Sequence, residues 1–147
     1  FLAVAGLKRL GLTQHITQSV ATETMLPAVA QGAVGVEIRV DDSRTAQFVA
    51  ALDHPETHIC VTAERAFLAR LDGSCKTPIA GYARLTAAGT LVFDGEILTP
   101  DGREYHATNR TGAPREAASI GDAAASELLG RASSNFFATP HGDRGGA

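Results

Sequence analysis

Residues Ile79-Ala-Gly-Tyr-Ala-Arg-Leu-Thr-Ala-Ala-Gly-Thr-Leu-Val-Phe-Asp-Gly-Glu-Ile-Leu-Thr-Pro-Asp-Gly-Arg-Glu-Tyr-His-Ala-Thr-Asn-Arg110 decide the fold. Three strand-like runs, about 79–86, 90–99 and 103–110, are separated by Ala87-Ala88-Gly89 and Pro100-Asp101-Gly102. Connections this short leave no room for a crossover, so neighbouring strands must be antiparallel. The stretch therefore predicts a three-stranded meander.

Helices flank it. Asp53 followed by Glu56 resembles a capping box, and Pro55 in the first turn loses no hydrogen bond there. A helix is predicted from there to Leu71, with Cys60, Ala63, Phe67 and Leu71 on one face and glycine of Asp72-Gly73 in the left-handed terminating position. Pro114 opens a second helix whose Ala117, Ile120, Ala124 and Leu128 face inward. The expected domain, 53–131, is α+β, a three-stranded antiparallel sheet with helices on one face. Residues 132–147, rich in Ser, Asn, Gly and His, read as a disordered tail.

The first 52 residues follow other patterns. Phe1–Ala5 reads as a short buried strand, and Leu7–Leu10 as a helical turn broken at Gly11. Val34, Val36, Ile38 and Val40 alternate at period two, which predicts a strand with one buried face. Asp41-Asp42 supplies the cap of a helix through Leu52, with Ala46, Val49 and Ala50 on one side.

Composition narrows function. The chain has 147 residues, a formal charge of −3, 44% hydrophobic and 20% charged residues. This is the balance of a globular protein, without the basic surplus that marks nucleic-acid binding or an anionic membrane surface. No apolar run approaches the ~18 residues of a membrane span. Phe1–Ala5 lacks the basic flank of a signal peptide. An apolar strand at the very first residue, with no Met, leads us to expect a fragment of a longer protein.

Four places could carry chemistry. Cys75, in a Gly-Ser-Cys loop beside Lys76, is either a structural cysteine or a thiol whose reactive thiolate the ammonium favours. His54, His58 and Cys60 cannot converge on one metal, because Cys60 lies about 200° round the helix from His58; no metal is expected. Lys8 and Arg9, read as opening a helix, form either an anion site or a solvated charged turn. Gln31-Gly32-Ala33 is a turn where backbone could approach a ligand.

Four strings then carry a resemblance: Leu2-Ala-Val-Ala-Gly-Leu-Lys-Arg-Leu-Gly-Leu12, Leu26-Pro-Ala-Val-Ala-Gln-Gly-Ala-Val-Gly-Val-Glu37, Val61-Thr-Ala-Glu-Arg-Ala-Phe67 and Leu71-Asp-Gly-Ser-Cys-Lys-Thr-Pro-Ile79. In order and spacing they resemble the hydroxymethylbilane synthase (porphobilinogen deaminase) family, over residues 1 to about 131. The resemblance implies the C-terminal half of a three-domain enzyme, two of whose domains are α/β lobes like periplasmic binding proteins. Residues 1–26 would end the second lobe, 27–52 would return to the first, and 53–131 would be the complete third domain.

It also implies an activity. The family joins four porphobilinogen molecules head to tail, releasing ammonia, on a covalent dipyrromethane cofactor, in tetrapyrrole (heme) biosynthesis. The cofactor's thioether falls on Cys75. Gln31 and Gly32 match the loop approaching the cofactor, and Arg9 matches a substrate-binding arginine. Ala30 departs from the family's usual glycine; a left-handed alanine costs ~1 kcal/mol or more. The acid/base aspartate falls outside this sequence, so no catalytic residue is expected in it, and the chain alone is expected to be inactive. The implied partners are porphobilinogen, the growing polypyrrole chain and the enzyme's N-terminal half, with no nucleic acid or membrane. The full-length enzyme would be a cytoplasmic monomer. An alternative is a non-catalytic ligand-binding or interaction module derived from the same fold; a generic thiol-dependent enzyme is a third.

Overall fold

A computed structural model describes residues 2–72 and 77–137. Helices α1 (Val4–Arg9), α2 (Ser43–Ala50), α3 (Pro55–Arg70) and α4 (Ala117–Arg131) accompany strands β1 (Ile79–Leu85), β2 (Leu91–Leu98) and β3 (Tyr105–Gly112). Short 3₁₀ turns occupy Thr13–His15 and Pro114–Glu116.

The meander forms as its turns require. The strand order is β1-β2-β3, both pairs antiparallel, with Tyr82 opposite Asp94 and Asp94 opposite Asn109. Gly89 and Gly102 take the left-handed conformation in the connections. Along β2, Leu91, Phe93, Gly95 and Ile97 are buried while Val92, Asp94, Glu96 and Leu98 are partly exposed, the alternation of a sheet covered on one side. Helices α3 and α4 pack against each other and against that buried side. The core joins Ala63, Phe67 and Leu71 of α3 and its C-cap to Leu91, Phe93 and Ile97 of the sheet and to Ile120, Ala124 and Leu128 of α4. Phe67 and Phe93 meet at 5.0 Å between ring centres, tilted by 58°. Gly95 makes room for them: a Cβ there would come within 2.9 Å of both rings.

Several local expectations give way. Phe1 lies outside the described residues, and the chain from Val4 is helical rather than strand. Helix α1 ends at Leu10, with Gly11 left-handed just beyond. Residues 33–39 show the alternation of a strand but pair with nothing among the described residues, because a strand exists only through a neighbour's hydrogen bonds. The cap of α3 is His54, whose Nδ1 accepts from Thr57 N, while Asp53 instead pairs with His58 at 3.2 Å. Asp72, not glycine, adopts the left-handed conformation after α3; Gly73 lies outside the described residues.

The segment expected to be a tail is docked as far as residue 137. Glu104 accepts from Ser133 N and from His106 Nε2, and Phe136, only 4% exposed, stacks near His106 at 5.6 Å. Burying one aromatic ring outweighs the polar composition around it. Residues 138–147 lie outside the described residues. Other expectations hold: Asp42 caps α2 by accepting from Thr45 N at 2.9 Å, and α4 turns Ala117, Ile120, Ala124 and Leu128 inward.

Candidate functional site

Among the described residues, Glu64 is the buried polar side chain that joins the first 52 residues to the α+β domain. It lies on α3 one turn after Cys60, so the helix carries it onto the inward face. There it is 6% exposed. A buried carboxylate needs donors on both oxygens, and two backbone amides supply them. Oε2 accepts from Ala30 N at 2.6 Å and Oε1 accepts from Ala83 N at 2.8 Å. A third bond, Gly81 N to the Pro27 carbonyl at 3.1 Å, runs alongside, and Val29 packs on the core. The segment from Pro27 to Ala33 is thus tied to β1 and α3.

The local conformation is set by that tie. Ala30 (φ 57°) and Gly32 (φ 85°) are both left-handed, and the turn is closed by Gln31 N to Ala28 O and Ala33 N to Ala30 O. Ala30 therefore does adopt the conformation that costs a side chain about 1–2 kcal/mol, held there by its bond to Glu64. Gln31 and Gly32 are exposed. With Tyr82, Arg84, Cys60 and Glu64 they line a cleft of about 390 Å³ between the segment, α3 and β1. Among the described residues the Gly32 N–H bonds to no acceptor, and nothing lies within 4 Å of the place where its Cβ would be. An exposed amide and a free backbone N–H suit an acceptor such as a carboxylate, so this turn fits a carboxylate-bearing pyrrole cofactor.

The other assigned residues are placed less closely. Cys75 lies outside the described residues; the nearest described residues in sequence are Asp72, just after α3, and Thr77, just before β1. Arg9 is exposed in the last turn of α1 and makes no ion pair among the described residues. Lys8 and Arg9 close α1 rather than open it, so the helix N-terminal amides are not at their disposal. No hydrogen bond or ion pair joins Arg9 to the Pro27–Ala33 segment among the described residues. His54 and His58 serve the start of α3 through Thr57 and Asp53.

Glu64 is not marked by any motif in the sequence. The available signal was a carboxylate on the apolar face that also carries Cys60, Ala63 and Phe67. Burial pushes its pKa above the ordinary 4.5, and the two amides pull it back only in part. Its contribution to stability is therefore full below about pH 4.5 and is lost as pH rises through the elevated value. Asp42, Asp101, Glu104 and Glu127 are shifted the other way by hydrogen bonds and lose their contribution as pH falls. A comparison of the wild type with Glu64→Gln isolates the first effect. The substitution is expected to cost about 1–3 kcal/mol, more at pH 5 than at pH 8. Denaturant unfolding across that range checks it, and a gap that widens toward pH 8 would contradict the assignment.

Comparison with known proteins covers both joined regions. The family model described as "Porphobilinogen deaminase, dipyromethane cofactor binding domain" matches residues 1–47. The one described as "Porphobilinogen deaminase, C-terminal domain" matches residues 58–130. The chain is 53% identical over 137 residues to the porphobilinogen deaminase of Paracoccus denitrificans, covering 93% of the chain and 44% of that protein. It is 46% identical over 138 residues to the chloroplastic enzyme of Pisum sativum, covering 92% and 37%. With the Nitrobacter winogradskyi protein the identity is 49% over 136 residues, covering 92% and 43%. The chain spans less than half the length of these curated relatives. Ala30 lies in the region of the first family model, while Glu64 and Ala83 lie in that of the second, so Glu64 links the two in space. The chain belongs to the porphobilinogen deaminase family.

Proposed function

We propose that this chain is the C-terminal part of a hydroxymethylbilane synthase. That enzyme condenses four porphobilinogen molecules head to tail, with loss of ammonia, in tetrapyrrole biosynthesis. The observation that carries the proposal is the Glu64 tie. It holds the turn of Gln31 and Gly32 against the domain whose α3–β1 connection bears Cys75. A covalently anchored chain that lengthens stepwise needs an attachment and a surface that can hold its carboxylates; Cys75 would be the first and the turn of Gln31 and Gly32 the second.

Each residue has a task within this scheme. Cys75 would form the thioether, its thiolate favoured by the adjacent Lys76 ammonium. Dipyrromethane, when bound, supplies a terminal pyrrole carbon for addition. Gly32 N–H and the Gln31 amide would hold a carboxylate at the cleft. The Arg9 guanidinium would pair with acetate or propionate groups of porphobilinogen or the growing chain. Proton transfer to the departing amine would fall to an aspartate outside this chain.

The wider architecture belongs to the same proposal. Residues 1–26 would end one periplasmic-binding-protein-like lobe and 27–52 return to the other, with 53–131 as the complete α+β domain. The full-length enzyme would act as a monomer in the cytoplasm. The isolated chain is expected to show no steady consumption of porphobilinogen, while the full-length protein turns it over. A colorimetric assay of porphobilinogen decides it. Steady turnover by the isolated chain would remove the division of labour, and none by the full-length protein would remove the function.

A further inference from the structure

The exposed pair Gln31 and Gly32 is held from one side. Upstream, three contacts fix the chain: the Pro27 carbonyl accepts from Gly81 N at 3.1 Å, Val29 packs on the core, and Ala30 N donates to Glu64 Oε2 at 2.6 Å. Downstream, residues 34–38 make no backbone hydrogen bond among the described residues. Glu64 is therefore the last fixed point before the pair. It is anchored in turn, because Oε1 accepts from Ala83 N at 2.8 Å and the residue is 6% exposed. A carboxylate bonded at both oxygens cannot follow a wandering turn, so it imposes one position on Ala30.

That position is unfavourable for an alanine. Ala30 sits at φ 57°, and its carbonyl closes the turn by accepting from Ala33 N at 3.2 Å. An alanine left to itself takes the left-handed conformation about one time in ten or less. We infer that Glu64 is a positioning residue: by holding Ala30 left-handed it keeps the Gly32 N–H and the Gln31 amide set to receive a pyrrole carboxylate. This rests on the proposed function and goes beyond it by tracing the readiness of the turn to a side chain that acts through Ala30. A site competent in only a fraction of molecules binds more weakly by that fraction. Loss of the tie therefore predicts carboxylate binding about tenfold weaker. Glycine at position 30 enters the left-handed region freely, so it predicts recovery even without the tie. If Glu64 served the stability of the fold alone, no such recovery would follow.

The test uses isotopically labelled full-length protein, made in cells that lack porphobilinogen and so free of cofactor. The probe is a pyrrole bearing acetate and propionate but no aminomethyl group, which cannot lose ammonia and so cannot react. Its titration is expected to shift the Gly32 amide resonance saturably. Glu64→Leu, which offers no acceptor, should weaken binding about tenfold, and Glu64→Gln, which offers one, should fall between. Adding Ala30→Gly to either should restore binding to within about twofold of the wild type. Ile97→Val, which loosens the same core away from the tie, should leave binding unchanged. A silent Gly32 amide, undiminished binding in both Glu64 variants, no recovery with Ala30→Gly, or equal weakening by Ile97→Val would each overturn the inference. Should Glu64→Leu fail to fold, Glu64→Gln with and without Ala30→Gly still decides. Turnover of porphobilinogen by the wild type separates this from the proposed function. Turnover with a Gly32 amide indifferent to Glu64 removes the positioning role alone. A Glu64-dependent Gly32 response without turnover removes the function alone.

Discussion

A Gly121→Ala variant is expected to lose a large part of the stability of the α+β domain. Gly121 lies in α4 where the helix crosses α3, and a Cβ there would overlap the Ala63 carbonyl oxygen and come within 3.0 Å of Phe67 N. Both neighbours are helix backbone, so neither can turn aside as a long side chain would. The helices must separate, and Phe67, Ala124 and Leu128, now fully buried, lose contacts together. Overpacking of this kind costs about 3 kcal/mol, a large part of the roughly 5–15 kcal/mol that holds a domain together. Thermal unfolding should show a midpoint lower by about 10 °C or more. Gly130→Ala on the same helix is the control: nothing lies within 4 Å of its Cβ position, and it should gain up to about 1 kcal/mol from helix propensity. Equal effects from the two substitutions would show that the close approach of α3 and α4 is not what Gly121 provides.

Cys75→Ser in the full-length protein is expected to eliminate the covalent dipyrromethane, and turnover with it. A serine hydroxyl ionises far less readily than a thiol and is a poor soft nucleophile, so the bond does not form. Cys60 provides the comparison within the same chain. Its thiol is pushed up chiefly by burial, with Glu64 and Glu56 adding to the effect, which keeps it in the unreactive form. Cys60→Ser should therefore retain the added mass. Intact-mass measurement of both variants decides the matter: a dipyrromethane increment surviving in Cys75→Ser, or vanishing in Cys60→Ser, would reassign the anchor.

The two parts of the chain were legible to different degrees. The meander could be read directly because each strand finds its partner across two short turns, and β3 is displaced from its expected span by only two residues at either end. Helices α3 and α4 were visible in their apolar spacing. Residues 34–40 carry an equally clear strand pattern, yet they form no ladder among the described residues. Pattern states which side of a segment avoids water; it does not supply the neighbour. Phe136 shows the converse: the adjacent pair Phe136-Phe137 in a polar stretch leaves no periodic mark, yet Phe136 docks against His106.

The candidate site divides in the same way. By itself the sequence determined the family resemblance, the turn of Gln31 and Gly32 and the antiparallel order of the sheet, and through the resemblance it put Cys75 forward as the cofactor anchor. All of these depend on residue identity and short spacing. Only the tertiary structure decided that Glu64 faces inward and accepts from Ala30, 34 residues away, and Ala83, 19 residues away. It also decided that Ala30 bears a left-handed strain, and that Lys8 and Arg9 close their helix instead of opening it. The reason is physical. Turns and helix faces are chosen by neighbours a few bonds away, whereas the partners of a buried carboxylate are chosen by whichever backbone the folded chain brings within about 3 Å.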